Sequence, residues 1–102
     1  MAMNASRVLY NSTEETLDSL GNSTKQMIMW QMSERGIDMA PDNFDINKAA
    51  PVLYELFGEG SETVLSMIYR KMCSRLRVNA RTDSDLSALE KINKVIEAKK
   101  MS

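Results

Sequence analysis

The sequence predicts an all-α protein, a compact bundle of about five helices in a single domain. Apolar residues recur at spacings of three and four along most of the 102 residues, and glycines and cap residues punctuate the chain at helix-length intervals. No run alternates apolar and polar residues for long enough to build a sheet. A chain of this length buries roughly two thirds of its unfolded surface, so one core suffices and a second has no room.

The first helix is expected after Val8-Leu9-Tyr10. Ser12-Thr13-Glu14-Glu15 reads as a capping box, in which a hydroxyl covers the first free amides and Glu15 reaches back. On that reading residues 1–11 are an N-terminal extension to a helical domain of residues 12–100. The helix continues through Leu17 and Leu20 to Gly21, and Asn22 and Ser23 cap a second, Thr24 to about Arg35, closed by Gly36.

Met27, Ile28, Met29, Trp30 and Met32 spread around nearly the whole circumference of this second helix. Such a helix is either central in its domain or holds one face for a partner. We expect it at the middle of the bundle; the alternative is a partner surface led by Met29 and Trp30, tryptophan being enriched at interface hot spots.

Residues 36–43 form a connector whose Ile37 and Met39 should fold back onto the core. The third helix should begin near Asn47, capped by Asp45 or Asn47, because Pro51 is tolerated only in a first turn. It runs through Val52, Leu53, Leu56 and Phe57 to Gly58, where a tight turn sets up an antiparallel fourth helix. That fourth helix, from Ser61 or Glu62 to about Arg77, has the clearest period in the chain, with Val64, Leu65, Ile68, Tyr69, Met72, Cys73 and Leu76 on one face. Its other face carries Arg70, Lys71, Ser74, Arg75 and Arg77. A polar loop leads to a last helix from about Ser84 to Lys99, acidic at its start and basic at its end as the helix dipole favours.

Composition narrows the function classes. Apolar residues make up 43% and charged residues 26% of the chain, the balance of a globular protein. No stretch approaches the ~20 apolar residues of a membrane span, and the short Val8-Leu9-Tyr10 run is too brief for a signal-peptide core, which points to the cytoplasm. The lone Cys73 agrees with a reducing compartment. Absence of histidine removes the commonest general base and metal ligand, and one cysteine without it leaves neither a thiol nucleophile pair nor a zinc set. Asp38, Asp42, Asn43 and Asp45 lack the central glycine and closing glutamate of a calcium loop. Glu14 with Glu15, and Glu55 with Glu59, read as solvated groups near helix ends. We therefore expect no enzyme, no metal and no cofactor. The nine methionines suit a core or contact surface that adapts its shape.

Charge is distributed unevenly. Residues 1–69 hold 4 Lys+Arg against 10 Asp+Glu, and residues 70–102 hold 9 against 4. We expect the halves to neutralise each other in the fold. The alternative is a nucleic-acid reader using Arg70, Lys71, Arg75 and Arg77 with Arg81, Lys91, Lys94, Lys99 and Lys100, although the start of the fourth helix offers few polar residues to read bases. A homodimer through the last helix would place Leu86, Leu89 and Ile96 near a heptad seam with Asn93 as its polar register residue, over only two heptads.

Leu20-Gly21-Asn22-Ser23-Thr24-Lys25-Gln26 leading into Ile28 and Trp30, a proline-containing connector, and Leu56-Phe57-Gly58-Glu59-Gly60-Ser61 before an apolar-basic helix resemble the small helical output domains of archaeal two-component signalling, of the Nitrosopumilus output domain type. The resemblance spans about Leu17 to Leu76. It implies a module that relays a signal from receiver or sensor modules to a largely undefined target; with the over-apolar second helix and the methionines, it leads us to expect a non-catalytic module acting by protein–protein contact, a homodimer being one form of it. The chain departs from the pattern in carrying no receiver and in its last helix.

Overall fold

The computed structural model describes residues 4–80 and 85–101, in which five helices account for all regular structure. Helix α1 (Ala5–Ser19) starts well before the expected capping box: the side chain of Asn4 accepts from the backbone amide of Ser6 at 2.8 Å. Ser12 and Thr13 lie inside the helix, and Val8 and Leu9, which the sequence reading placed in an extension, are in the core. The physical reason is continuity of one buried face, because Val8, Leu9, Ser12, Thr13, Thr16 and Leu17 follow one another at helical spacing across the supposed boundary. Thr13 and Thr16 donate to the carbonyls of Leu9 and Ser12, each at 2.8 Å, so their hydroxyls are satisfied within the helix. The Ser12 hydroxyl is fully buried and has no partner.

Helix α2 (Asn22–Glu34) follows Gly21, whose φ of 100° suits glycine, and no side chain caps it; Asn22 and Ser23 are already helical. It ends in a Schellman turn. Gly36, at φ 71°, donates to Ser33 and Ile37 donates to Met32 at 2.9 Å, which brings Ile37 onto the core. Phe44 is buried nearby and meets Tyr10 edge to face, centroids 6.3 Å apart.

Helix α3 (Ile46–Phe57) is capped by Asp45, which accepts from the Asn47 amide at 2.9 Å. Pro51 falls in its second turn rather than its first. Pro51 and Asn47 are both exposed, so water can serve the carbonyl that proline leaves unpaired. After the turn at Gly58, α4 (Gly60–Leu76) buries Val64, Leu65, Ile68, Tyr69, Met72, Cys73 and Leu76, the face its periodicity predicts. It packs against α1, α3 and α5 and is the central helix of the bundle. The small side chains of Ser12, Thr13 and Thr16 on the buried face of α1 suit close packing, and α1 with α4 is the most extensive helix pair.

The last helix, expected from about Ser84, starts later, because residues 85–87 are not helical; Asp83 and Ser84 themselves lie outside the described residues. Helix α5 (Ala88–Met101) opens on a true capping box: the Glu90 amide donates to the Ser87 hydroxyl at 3.2 Å, and the Ser87 amide donates to the Glu90 carboxylate at 3.3 Å. The Ala88 amide donates to Glu62 of α4 at 2.8 Å, so a second helix helps to cap the first turn. Ser12-x-x-Glu15 and Ser87-x-x-Glu90 are the same motif with opposite fates. Apolar residues at helical spacing precede the first and draw it into a longer helix, whereas the sequence before the second is mostly polar.

These fates separate in mutants. Ser12→Ala removes an unpaired buried hydroxyl from a helix interior and should raise stability by about 0.5–1 kcal/mol. Ser87→Ala removes a working cap and should lower it by about 1 kcal/mol. Urea unfolding of both variants checks the pair; a loss of stability in Ser12→Ala contradicts the early start of α1.

Candidate functional site

Helix α2 buries only Ile28 and Met32, one turn apart, against α1 and α3. Its central placement, expected from the all-round apolar pattern, is therefore overturned: α4 is longer, carries the wider apolar face and takes the middle. The remaining apolar residues of α2 turn outward to different degrees. Trp30 lies opposite the buried stripe and is 59% exposed, and Met27, three residues before it, is 43% exposed. Met29 is half-buried and lines a shallow groove with Ile37 and Met39. Glu34, exposed, follows Trp30 by one turn.

The magnitude matters. A tryptophan covers about 150–250 Å², so at about 25 cal/mol per Å² the three fifths of Trp30 left in water represents on the order of 3 kcal/mol of unrealised burial. Exposed ion pairs are each worth about 0–1 kcal/mol. Trp30 thus offers a partner more than any single surface cation does.

Tyr54, on the outward side of α3, is 64% exposed and lines a separate groove with Pro51, Leu65 and Leu89. Sequence reading missed it. The available signal was its place among the outward positions Asn47, Pro51 and Glu55 of the same helix.

The basic set does not form one face. Lys71 and Arg75 flank the apolar face of α4 on the side of α1, and both bind Glu15, Lys71 at 3.3 Å to one carboxylate oxygen and Arg75 to the other. Arg70 and Arg77 are exposed on the opposite side of α4. Arg77 closes that helix in the left-handed conformation, φ 57° and ψ 43°, where glycine is usual. Lys91 of α5 lies over the Tyr69 ring, 5.9 Å from its centroid. Arg81 lies outside the described residues. Asn93 exchanges amide hydrogen bonds of 3.0 and 2.9 Å with Asn47 of α3 and also donates to the Leu89 carbonyl, so it serves the bundle as an internal clamp.

The acidic residues are likewise engaged separately. Glu14 and Glu15 are neighbours in sequence but hold different helices. Glu14 and Asp18 bind Lys25 of α2 at 2.9 and 2.6 Å, and the Tyr10 hydroxyl donates to Glu14 at 3.1 Å. Glu55 binds Arg35, and Asp42 pairs with Arg7 at 3.7 Å. Asp38 accepts from Asn43 at 3.2 Å. Among the described residues, no three acidic or cysteine side chains converge as metal ligands would, and no helix is long and apolar enough to cross a membrane.

Comparison with known proteins returned no match: no family model, no curated protein and no solved structure is similar to this chain.

The α1–α2 clasp has a pH signature. The hydrogen bonds that the Lys25 ammonium donates to Asp18 and Glu14 hold it protonated well above the ordinary lysine range. Burial, then the hydrogen bond to Glu14, raises Tyr10 above its usual value. Both groups bind their protons more tightly folded than unfolded, so their stabilisation is complete below about pH 10 and is lost as pH rises beyond it. Urea midpoints should fall above pH 10, and the double variant Tyr10→Phe, Lys25→Gln should fall less steeply. Equal slopes would show that the clasp contributes nothing.

Proposed function

We propose that this chain is a non-catalytic regulatory binding module of the signalling-output kind, acting by protein–protein contact through the outward face of α2. The observation that carries the reading is Trp30, the single tryptophan of the chain, standing in solvent with Met27 beside it on a helix whose opposite stripe anchors it to the bundle. Large apolar side chains of this kind supply most of the energy at protein interfaces. The resemblance of residues Leu17 to Leu76 to archaeal output domains agrees with it.

A second reading, a DNA-binding regulator, draws on exposed Arg70, Arg77 and Lys94. It is weakened because Lys71 and Arg75 are committed to Glu15. Fewer cations are then left to displace counterions from phosphates, the term that dominates non-specific affinity.

Two measurements part the readings. A photo-crosslinking residue at Met27, introduced in the source cells, should yield a discrete protein adduct that the same residue at Ser74 does not; equal labelling at both positions overturns the α2 face. Gel shift against mixed duplex DNA at about 50 mM salt, where the phosphate contribution is strongest, should show no complex. A shift abolished by Arg70→Ala with Arg77→Ala would transfer the function to the basic residues.

A further inference from the structure

The apolar face of α2 has a counterpart on the same molecule. Between the end of α4 and the outer side of α5 runs a small groove of about 220 Å³, floored by Tyr69, Val78, Val95 and Ala98 and edged by Lys94 and Lys99. It is smaller than the roughly 300–1,000 Å³ of pockets that enclose drug-sized ligands, a size suited to one large side chain. Its lining is mostly apolar, with Asn79 at one side, and Lys94 stands exposed at its edge.

The α2 face is the converse. It presents an aromatic knob, Trp30, with Met27 alongside and the Glu34 carboxylate one turn further on. The basic residues nearest to it in the chain are held by carboxylates of their own molecule, Lys25 by Glu14 and Asp18 and Arg35 by Glu55. Glu14, Glu15, Asp18, Asp42 and Glu55 are committed to cations of their own molecule, so the charges left to meet across a contact are exposed Glu34 beside the knob and exposed Lys94 beside the groove. Knob and groove therefore match in shape class, in apolar character and in the sign of these two groups.

We infer that the groove between α4 and α5 receives Trp30 of a second copy of this chain, with Glu34 of that copy set against Lys94. This rests on the α2 face being a contact surface, the reading proposed above, and adds what the face contacts. Because the two surfaces differ, the contact is head to tail. Each added molecule buries one face and leaves the other open, so assembly continues with concentration instead of stopping at a symmetric pair. Opposite charges across the contact speed encounter and make it sensitive to salt.

The test is sedimentation velocity of the whole chain across a hundredfold concentration range, with Trp30 fluorescence read in parallel. The expected result is a weight-average mass rising above the 11.5 kDa monomer, a blue shift of Trp30 emission along the same curve, and a shift of both to higher protein concentration, about fivefold at most, at about 0.5 M salt. Trp30→Ala removes the knob. Ala98→Glu fills the groove with a like-charged obstacle at an exposed helical position that tolerates it. Each variant alone should stay monomeric. A mixture of the two should form a pair that grows no further, because the first variant retains the groove and the second retains the knob. A wild-type chain that remains monomeric throughout overturns the inference, and so does a mixture that fails to pair while the wild type associates. If the wild type is monomeric but crosslinking at Met27 still captures a different protein, the self-association fails and the α2 contact face stands. If neither occurs, both fail.

Discussion

The enclosure of α4 is the constraint on which the rest of the molecule depends. Ile68 and Met72 on this helix are wholly out of water, and α1, α3 and α5 cover it from three directions. A helix buried across so wide a face requires neighbours that approach closely. On α1, Ser12, Thr13 and Thr16 meet this need with short side chains, two of them returning their hydroxyls to the backbone. Burial of those polar residues is thus a packing solution, bought with one unpaired hydroxyl at Ser12.

Once α4 occupies the centre, α2 has no interior place left to fill. It is held to the bundle by Ile28 and Met32, by the Lys25 clasp to α1 and by the Arg35 bond to α3; Met29 is half-buried, and Met27 and Trp30 face water. The same arrangement divides the cations of α4. Those bordering α1 meet Glu15, and those on the far side do not. An aromatic surface is left outside while the stripe of basic residues, continuous in sequence, is broken by partial neutralisation. The outward surface is thus an apolar patch on α2 beside cations that are only partly neutralised.

Ion pairs in this bundle act mainly as connectors between helices. Glu14 and Asp18 join α1 to α2, Glu15 joins α1 to α4, and Glu55 joins α3 to α2. Each is at least partly exposed, so its energetic weight is modest. Their value is directional: they fix which side of each helix faces its neighbour after burial has brought the helices together. The Asn47–Asn93 amide pair does the same for α3 and α5.

The sequence by itself determined the helical class, the number of helices, the inward face of α4 and most terminations, because periodicity, glycine and proline act within a few residues of where they stand. Gly36, Asp45 and Gly58 behave locally as their chemistry requires. Where the outcome depended on what lay across the core, local signals were ambiguous. Ser12-x-x-Glu15 and Ser87-x-x-Glu90 are indistinguishable as motifs, and only the covering of Val8 and Leu9 by the bundle makes the first a helix interior. Apolar residues around the whole of α2 mark a helix that has apolar area to spare, but whether that area ends inside or outside is settled by competition with α4 for the same central space. The candidate contact surface was legible at Trp30 but not at its neighbour, which is Met27 and not the half-buried Met29, since exposure is a property of the packed whole and not of any one helix.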